Sequence, residues 1–331
     1  MGARPYLIHP RLDWVFLGAF SLPFAGYFLW KTGKTFEDPD TLKWLLLAVS
    51  YPHFLMSYAL FYGPGGPWKR HPWVAFGVPL FLLVPLLYVW VTHHEPTLVW
   101  MGTIAWPLLI WHFARQAYGV SLWMGAEPGR PASPLQKYLL LGLLLGIGGY
   151  GYAFQQQAFK RANLFGFPMA TLRFSEDTVF WVRQAFLLTL IVFALTWALD
   201  WLRNSRRSAF GLLGFLPVAS LWSWFDPSLL KTPIIGMVPV FHAIQYFPFV
   251  YRVETNRGGP TRTAALYSGT MVVGTLLFFV IPRVAANQSE LAGLLAISSV
   301  SIFLNIHHYF IDGVLWRFRD PEVREKLRIK G

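Results

Sequence analysis

Apolar runs of about 20 residues recur from Asp13 to Val314, and each is long enough to cross a hydrocarbon core ~30 Å thick. No other feature constrains the fold as strongly. A backbone inside lipid must satisfy its own N–H and C=O groups, and consecutive runs of this length do so as helices. The sequence therefore predicts an all-α, polytopic transmembrane bundle in a single integral membrane domain, residues 1–331. Ten spans are expected, over 13–31, 43–63, 72–92, 97–122, 137–158, 178–200, 209–226, 232–251, 263–284 and 290–314. Charged residues make up only 13% of the chain, against roughly a quarter in a soluble domain.

In a soluble protein a net charge of +12 would suggest a nucleic-acid partner. Here the basic residues lie between apolar runs, so they read as orientation signals and no nucleic acid is expected. With ten spans, 19 Lys and Arg fall on the side shared by both termini and eight on the other. That asymmetry predicts cytoplasmic termini. On the outer side, 160–178 is expected to form an interfacial loop with aromatic anchors, and 315–331 to form a basic cytoplasmic tail. The opening MGARPYLIHPRLDW lacks a cleavable-signal pattern, and Tyr6 breaks the myristoylation pattern. With no cysteine, disulfides and thiolate metal sites are excluded.

The stretch FLNIHHYFIDGVLWRFRD, Phe303 to Asp320, places polar side chains where lipid contact would penalise them. Nine histidines are present. His9, His71, His93 and His94 fall in termini or loops and read as solvated. His53, His112, His242, His307 and His308 lie inside spans, all of them even-numbered. Each span places one of its histidines about ten residues from its cytoplasmic end. At ~1.5 Å per residue that is ~15 Å, half the core thickness, so four helices carry an imidazole at one level. Polar residues follow one turn later on the same faces: Ser57, Arg115 and Gln116, Gln245 and Tyr246, and Asp312.

Four depth-matched imidazoles from separate helices suit a transition-metal site for Fe, with Cu and Zn as alternatives. Asp312, Gln116, Gln245 and Tyr246 would tune it as catalytic or ring-orienting groups. Neighbours on a helix point about 100° apart, so His307 and His308 cannot both face one ion. His308 shares a face with Asp312 and is favoured, while His307 is expected to line the pocket or serve a second metal. The competing account makes these histidines interhelical hydrogen-bonding groups, each worth about 1 kcal/mol.

Other features carry less chemistry. The run GLLLG, Gly142 to Gly146, fits small-xxx-small helix packing. FQQQAFKR reads as a polar helix end. Arg183, near an outer end, is expected to snorkel. Arg115 and Arg252 sit where a lipid or substrate anion could bind, although ordinary orientation by positive charge is the favoured account of them.

The boxes HxxxH and HxxHH of membrane desaturases and hydroxylases are absent. The segments SYPHFLMSY, WHFARQAYG, VFHAIQYFPF and NIHHYFIDG resemble the Brp/Blh carotene-cleaving dioxygenases. The resemblance is architectural, and His53 and His112 are each followed by phenylalanine rather than by that family's local motif. It implies iron held by histidines from separate helices, a bacterial inner membrane, and an oxygenase that uses O2 on a lipophilic lipid or isoprenoid substrate. Two other classes fit the pattern: a b-type haem electron-transfer protein, with haem b on paired histidines, and a transporter with a midplane histidine site. The transporter class predicts inverted repeats, and the two halves of the chain are dissimilar.

Overall fold

A computed structural model describes residues 6–30, 39–126, 132–158, 162–164, 167–204, 210–230, 232–318 and 320–327. Among the described residues the chain is almost entirely helical. In chain order the helices are α1 (Arg11–Ala19), α2 (Leu22–Trp30), α3 (Thr41–Tyr62), α4 (Trp73–Thr92), α5 (Glu95–Gly125), α6 (Pro134–Ala158), α7 (Glu176–Arg203), α8 (Leu212–Phe225), α9 (Ile234–Ala286), α10 (Glu290–Leu315) and α11 (Pro321–Lys326). Seven of these, α3 to α7 with α9 and α10, are long and apolar enough to cross a membrane.

With the bent α1–α2 pair counted as one span the described residues give eight such spans rather than the expected ten, and four of the ten expected runs depart from simple spans. The run 13–31 is broken into α1 and α2 by a 48° bend. The run 209–226 forms only the short α8. The runs 232–251 and 263–284 are joined in α9, which is interrupted where Gly259 takes φ 79°, ψ −179°, a conformation that essentially only glycine adopts. The ring of Phe247 lies 6.0 Å from that of Tyr267. A straight helix would set residues twenty apart ~30 Å from each other, so the chain folds back at Gly258–Gly259. Across the reversal the Arg262 Nε donates to Glu254 at 2.6 Å.

Local chemistry explains where helices begin. Ser175 and Ser289 cap α7 and α10, their hydroxyls accepting from the backbone N–H groups of Thr178 and Ala292 at 3.2 and 3.0 Å. Acidic residues follow each cap, in register with the helix dipole. Glycines set how closely helices pack. A Cβ at Gly142 or Gly146 would lie 3.4 or 3.3 Å from Thr189 or Phe186 of α7, so this motif seats α6 against α7.

Burial separates the helices into layers. In the most apolar window of α7 only 11% is buried, against 72% in α10, 61% in α5 and 56% in α3. α7 is therefore peripheral, and exposed Phe180, Trp181, Leu188 and Leu195 cover its outer face. Arg183 is also exposed. The three most buried helices carry His53, His112 and His308.

Part of the expected loop 160–178 lies outside the described residues. Its described portion corrects the purely helical expectation: β1 (Ala162–Leu164) and β2 (Phe167–Met169) pair antiparallel, with Leu164 opposite Phe167. Two backbone donors pin the end of this ribbon. Ala170 N–H reaches Thr103 Oγ1 at 2.9 Å and Leu172 N–H reaches Gln156 Oε1 at 2.7 Å. The glutamine run at the end of α6 thus anchors a loop.

Both described ends of the chain meet on one face. Leu7 and Leu327 belong to the same apolar cluster as Val120 and Val253. Arg70 pairs with Glu322 at 2.5 Å, and Asn256 Nδ2 donates to the Lys326 carbonyl at 3.0 Å. The α3–α4 loop, the α9 reversal and both ends therefore share a face.

Candidate metal centre

The site begins with a proline. Pro52 has no N–H, so the helix loses a rung one residue before His53, and the preceding turn, Leu46–Ser50, widens to π geometry. The Ala48 carbonyl, four residues before Pro52, accepts instead from the Tyr267 hydroxyl at 2.5 Å. The Ser50 carbonyl accepts from the His53 Nδ1–H at 3.2 Å. That bond fixes the tautomer and leaves a lone pair on Nε2, which has no hydrogen-bond partner.

His53 on α3, His112 on α5, His242 on the first arm of α9 and His308 on α10 converge around one point, each at most 3% exposed. Ring centres are 4.8 Å apart for His53–His242, 4.8 Å for His112–His242, 4.9 Å for His112–His308 and 4.5 Å for His53–His308. His242 and His308 face each other across the group at 6.3 Å. Two imidazoles on opposite sides of one ion, with metal–nitrogen bonds of ~2.0–2.1 Å, have ring centres roughly 6 Å apart. The Nε2 atoms of His112 and His242 are 3.0 Å apart, a hydrogen-bond separation that is also the spacing of adjacent ligands on one ion. His53, His242 and His308 offer ligand atoms within 4.8 Å of one another, as do His112, His308 and Asp312.

The donor set fits a transition metal. Buried polar atoms are normally paired, yet His53 Nε2, His242 Nδ1 and both nitrogens of His308 are buried without partners. One shared ion would take one nitrogen from each ring, among them His53 Nε2, which has no hydrogen-bond partner.

Around the rings, Asp312 Oδ2 lies 3.5 Å from His308 Nε2 and 4.0 Å from His112 Nε2. Its Oδ1 accepts from Ser57 Oγ at 2.8 Å, and Ser57 Oγ is 2.6 Å from the Tyr246 hydroxyl. Asp312 and Tyr246 thus stand at the centre. Gln116 and Gln245 act differently from expectation: Gln116 Nε2 donates to the His242 carbonyl at 2.9 Å and to Gln245 Oε1 at 3.3 Å. They brace the backbone of α9 rather than orient an imidazole.

His307 does not join the other four, which corrects its place in the expected ligand set. Its Nε2–H donates to the Val74 carbonyl at 2.8 Å, and its ring packs edge-on against Tyr58. The 100° step between helix neighbours turns it toward α4.

Aromatic residues wall the site. Tyr309 stacks on His112 at 4.5 Å, Phe113 lies 4.5 Å from His242, and Phe54 lies 4.7 Å from His53. Sequence reasoning did not assign them this role, although the signal was legible: His53, His112 and His308 are each followed immediately by an aromatic residue. Ser57 was noted only for its spacing, and here it links two helices.

No family model, curated protein or solved structure matches the chain.

Proposed function

We propose that the chain is a multi-pass membrane metalloenzyme in which His53, His112, His242 and His308 hold one iron ion and a lipophilic substrate is oxidised with O2. The observation that carries this reading is the convergence of four buried imidazoles from four helices, with nitrogens left unpartnered at their centre. Iron bound there supplies a redox-active site able to bind and activate O2.

The protein's own groups then have distinct tasks. The Ser50 carbonyl and the π turn hold His53 in its ligating tautomer. Asp312, Ser57 and Tyr246 form a hydrogen-bonded chain that can hold or pass a proton beside His308. Phe54, Phe113 and Tyr309 give the centre aromatic walls. The compact ring arrangement supports a bare ion over haem b, because the four imidazoles fill the space a porphyrin would need. The same features accord with the likeness to the Brp/Blh dioxygenases noted from the sequence.

In this reading ten segments enter the bilayer: α1 with α2 as one broken span, α3 to α8, the two arms of α9, and α10. The face bearing both chain ends is cytoplasmic, in a bacterial inner membrane. Support comes from the reversal at Gly258–Gly259, which divides α9 into two antiparallel arms, and from the even number that ends on a common face require.

The test is elemental analysis of the detergent-purified full chain with an optical spectrum. The expected result is about one iron per chain and no Soret band. A Soret band would replace the reading by a haem protein, stoichiometric zinc would remove the redox step, and metal-free, folded protein would overturn the centre altogether.

A further inference from the structure

A cavity of about 720 Å³ reaches the metal centre, within the ~300–1,000 Å³ typical of sites for small organic ligands. Its inner end is formed by His112, Tyr246 and Asp312, all buried. Its outer end carries Arg115, which is exposed, with Lys137 and Arg317, which are half-buried. The wall between them is largely apolar and aromatic.

Among the described residues, none of the three cations has a carboxylate partner. The Arg115 guanidinium lies over the Tyr118 ring at 5.7 Å, and the Arg317 Nε donates to the Gly313 carbonyl of its own helix at 2.8 Å. Among the described residues that line the cavity, Asp312 is the only carboxylate, and it lies at the opposite end. Three other cations on this face are neutralised: Arg257 and Arg262 both pair with Glu254, at 2.8 and 2.6 Å, and Arg70 pairs with Glu322. Orientation by positive charge explains why basic residues lie on this face. The cavity adds a second fact: three of them are gathered at one mouth, over an apolar wall that leads to the histidines.

We infer that the cavity takes an amphiphile with an anionic head group, a carboxylate or phosphate, held by Arg115, Lys137 and Arg317, with its apolar body directed inward to the histidine centre. This names the substrate class of the oxidation proposed above and rests on that reading for its chemistry, but the binding itself does not require the metal. Arg115 is one helical turn beyond His112, and Arg317 five residues beyond Asp312. The atoms presented to the centre are therefore on the apolar chain, away from the head.

The experiment measures equilibrium binding of hexadecanoate, hexadecyl phosphate, hexadecanol and inorganic phosphate to the full chain in zwitterionic-lipid nanodiscs, with metal content determined on the same samples. The expected result is saturable binding of an acidic amphiphile at least tenfold tighter than hexadecanol, and no competition by inorganic phosphate. The tighter of the two acids identifies the head group. The double variant R115Q/R317Q should lose at least tenfold in affinity for that acid while keeping hexadecanol binding and metal content. R257Q, which removes a paired arginine from the same face, should change nothing. Equal binding of acid and alcohol by the unaltered chain, competition by inorganic phosphate alone, or full acid affinity in the double variant overturns the inference. Charge-selective binding by metal-free protein supports it and sinks only the metal reading. Metal-loaded protein without charge selectivity does the reverse.

Discussion

At the scale of single residues, the centre divides five buried histidines into four and one. His53→Ala, His112→Ala, His242→Ala and His308→Ala should each weaken metal retention by more than about tenfold, since even groups behind the ligands matter at that level. His307→Ala should keep the metal in full and cost about 1 kcal/mol through the lost bond to Val74. Metal content after dialysis, beside a thermal melt, separates the two outcomes. Ser57→Ala removes the donor to Asp312 and the partner of Tyr246 together. It should lower stability by about 1–3 kcal/mol without emptying the centre, seen as a lower melting temperature at unchanged metal content. Depth and azimuth were legible beforehand, because helical rise and turn are fixed and Asp312 marks the face of His308. The Ser57–Tyr246–Asp312 chain was not, because its partners lie 189 and 255 residues apart. Nor was the role of Gln116 and Gln245, since side-chain type does not reveal whether an amide meets a ring or a carbonyl.

Among the elements, the reversal in α9 carries the most consequence. Gly259→Ala places a side chain at φ 79° and should cost about 1–3 kcal/mol, while Gly269→Ala, facing open space in the second arm, should be nearly neutral. Melting of the two variants in one detergent checks the difference. Hydropathy alone located both arms of α9, because apolar length is a local property. It could not separate a full crossing from the short α8 or the broken α1–α2 pair. Those breaks depend on what packs around each segment.

For the whole molecule, the common face of the two ends makes sidedness a matter of one measurement. The chain has no cysteine, so single cysteines report cleanly. In intact cells expressing the chain, a membrane-impermeant maleimide should label Gln288→Cys and spare Lys69→Cys until the membrane is permeabilised. The opposite pattern would invert the orientation, and equal labelling would place both loops on one side.

The imidazoles of His53 and His308 lie 4.5 Å apart, yet 308 − 53 = 255 residues of chain separate them. At ~5–20 residues per second, the first waits roughly 13–50 s for the second to leave the ribosome. Throughout that interval the early helices hold an incomplete set of ligands. An ion that needs all four rings could load only after the last helix has arrived, and its binding would report that arrival.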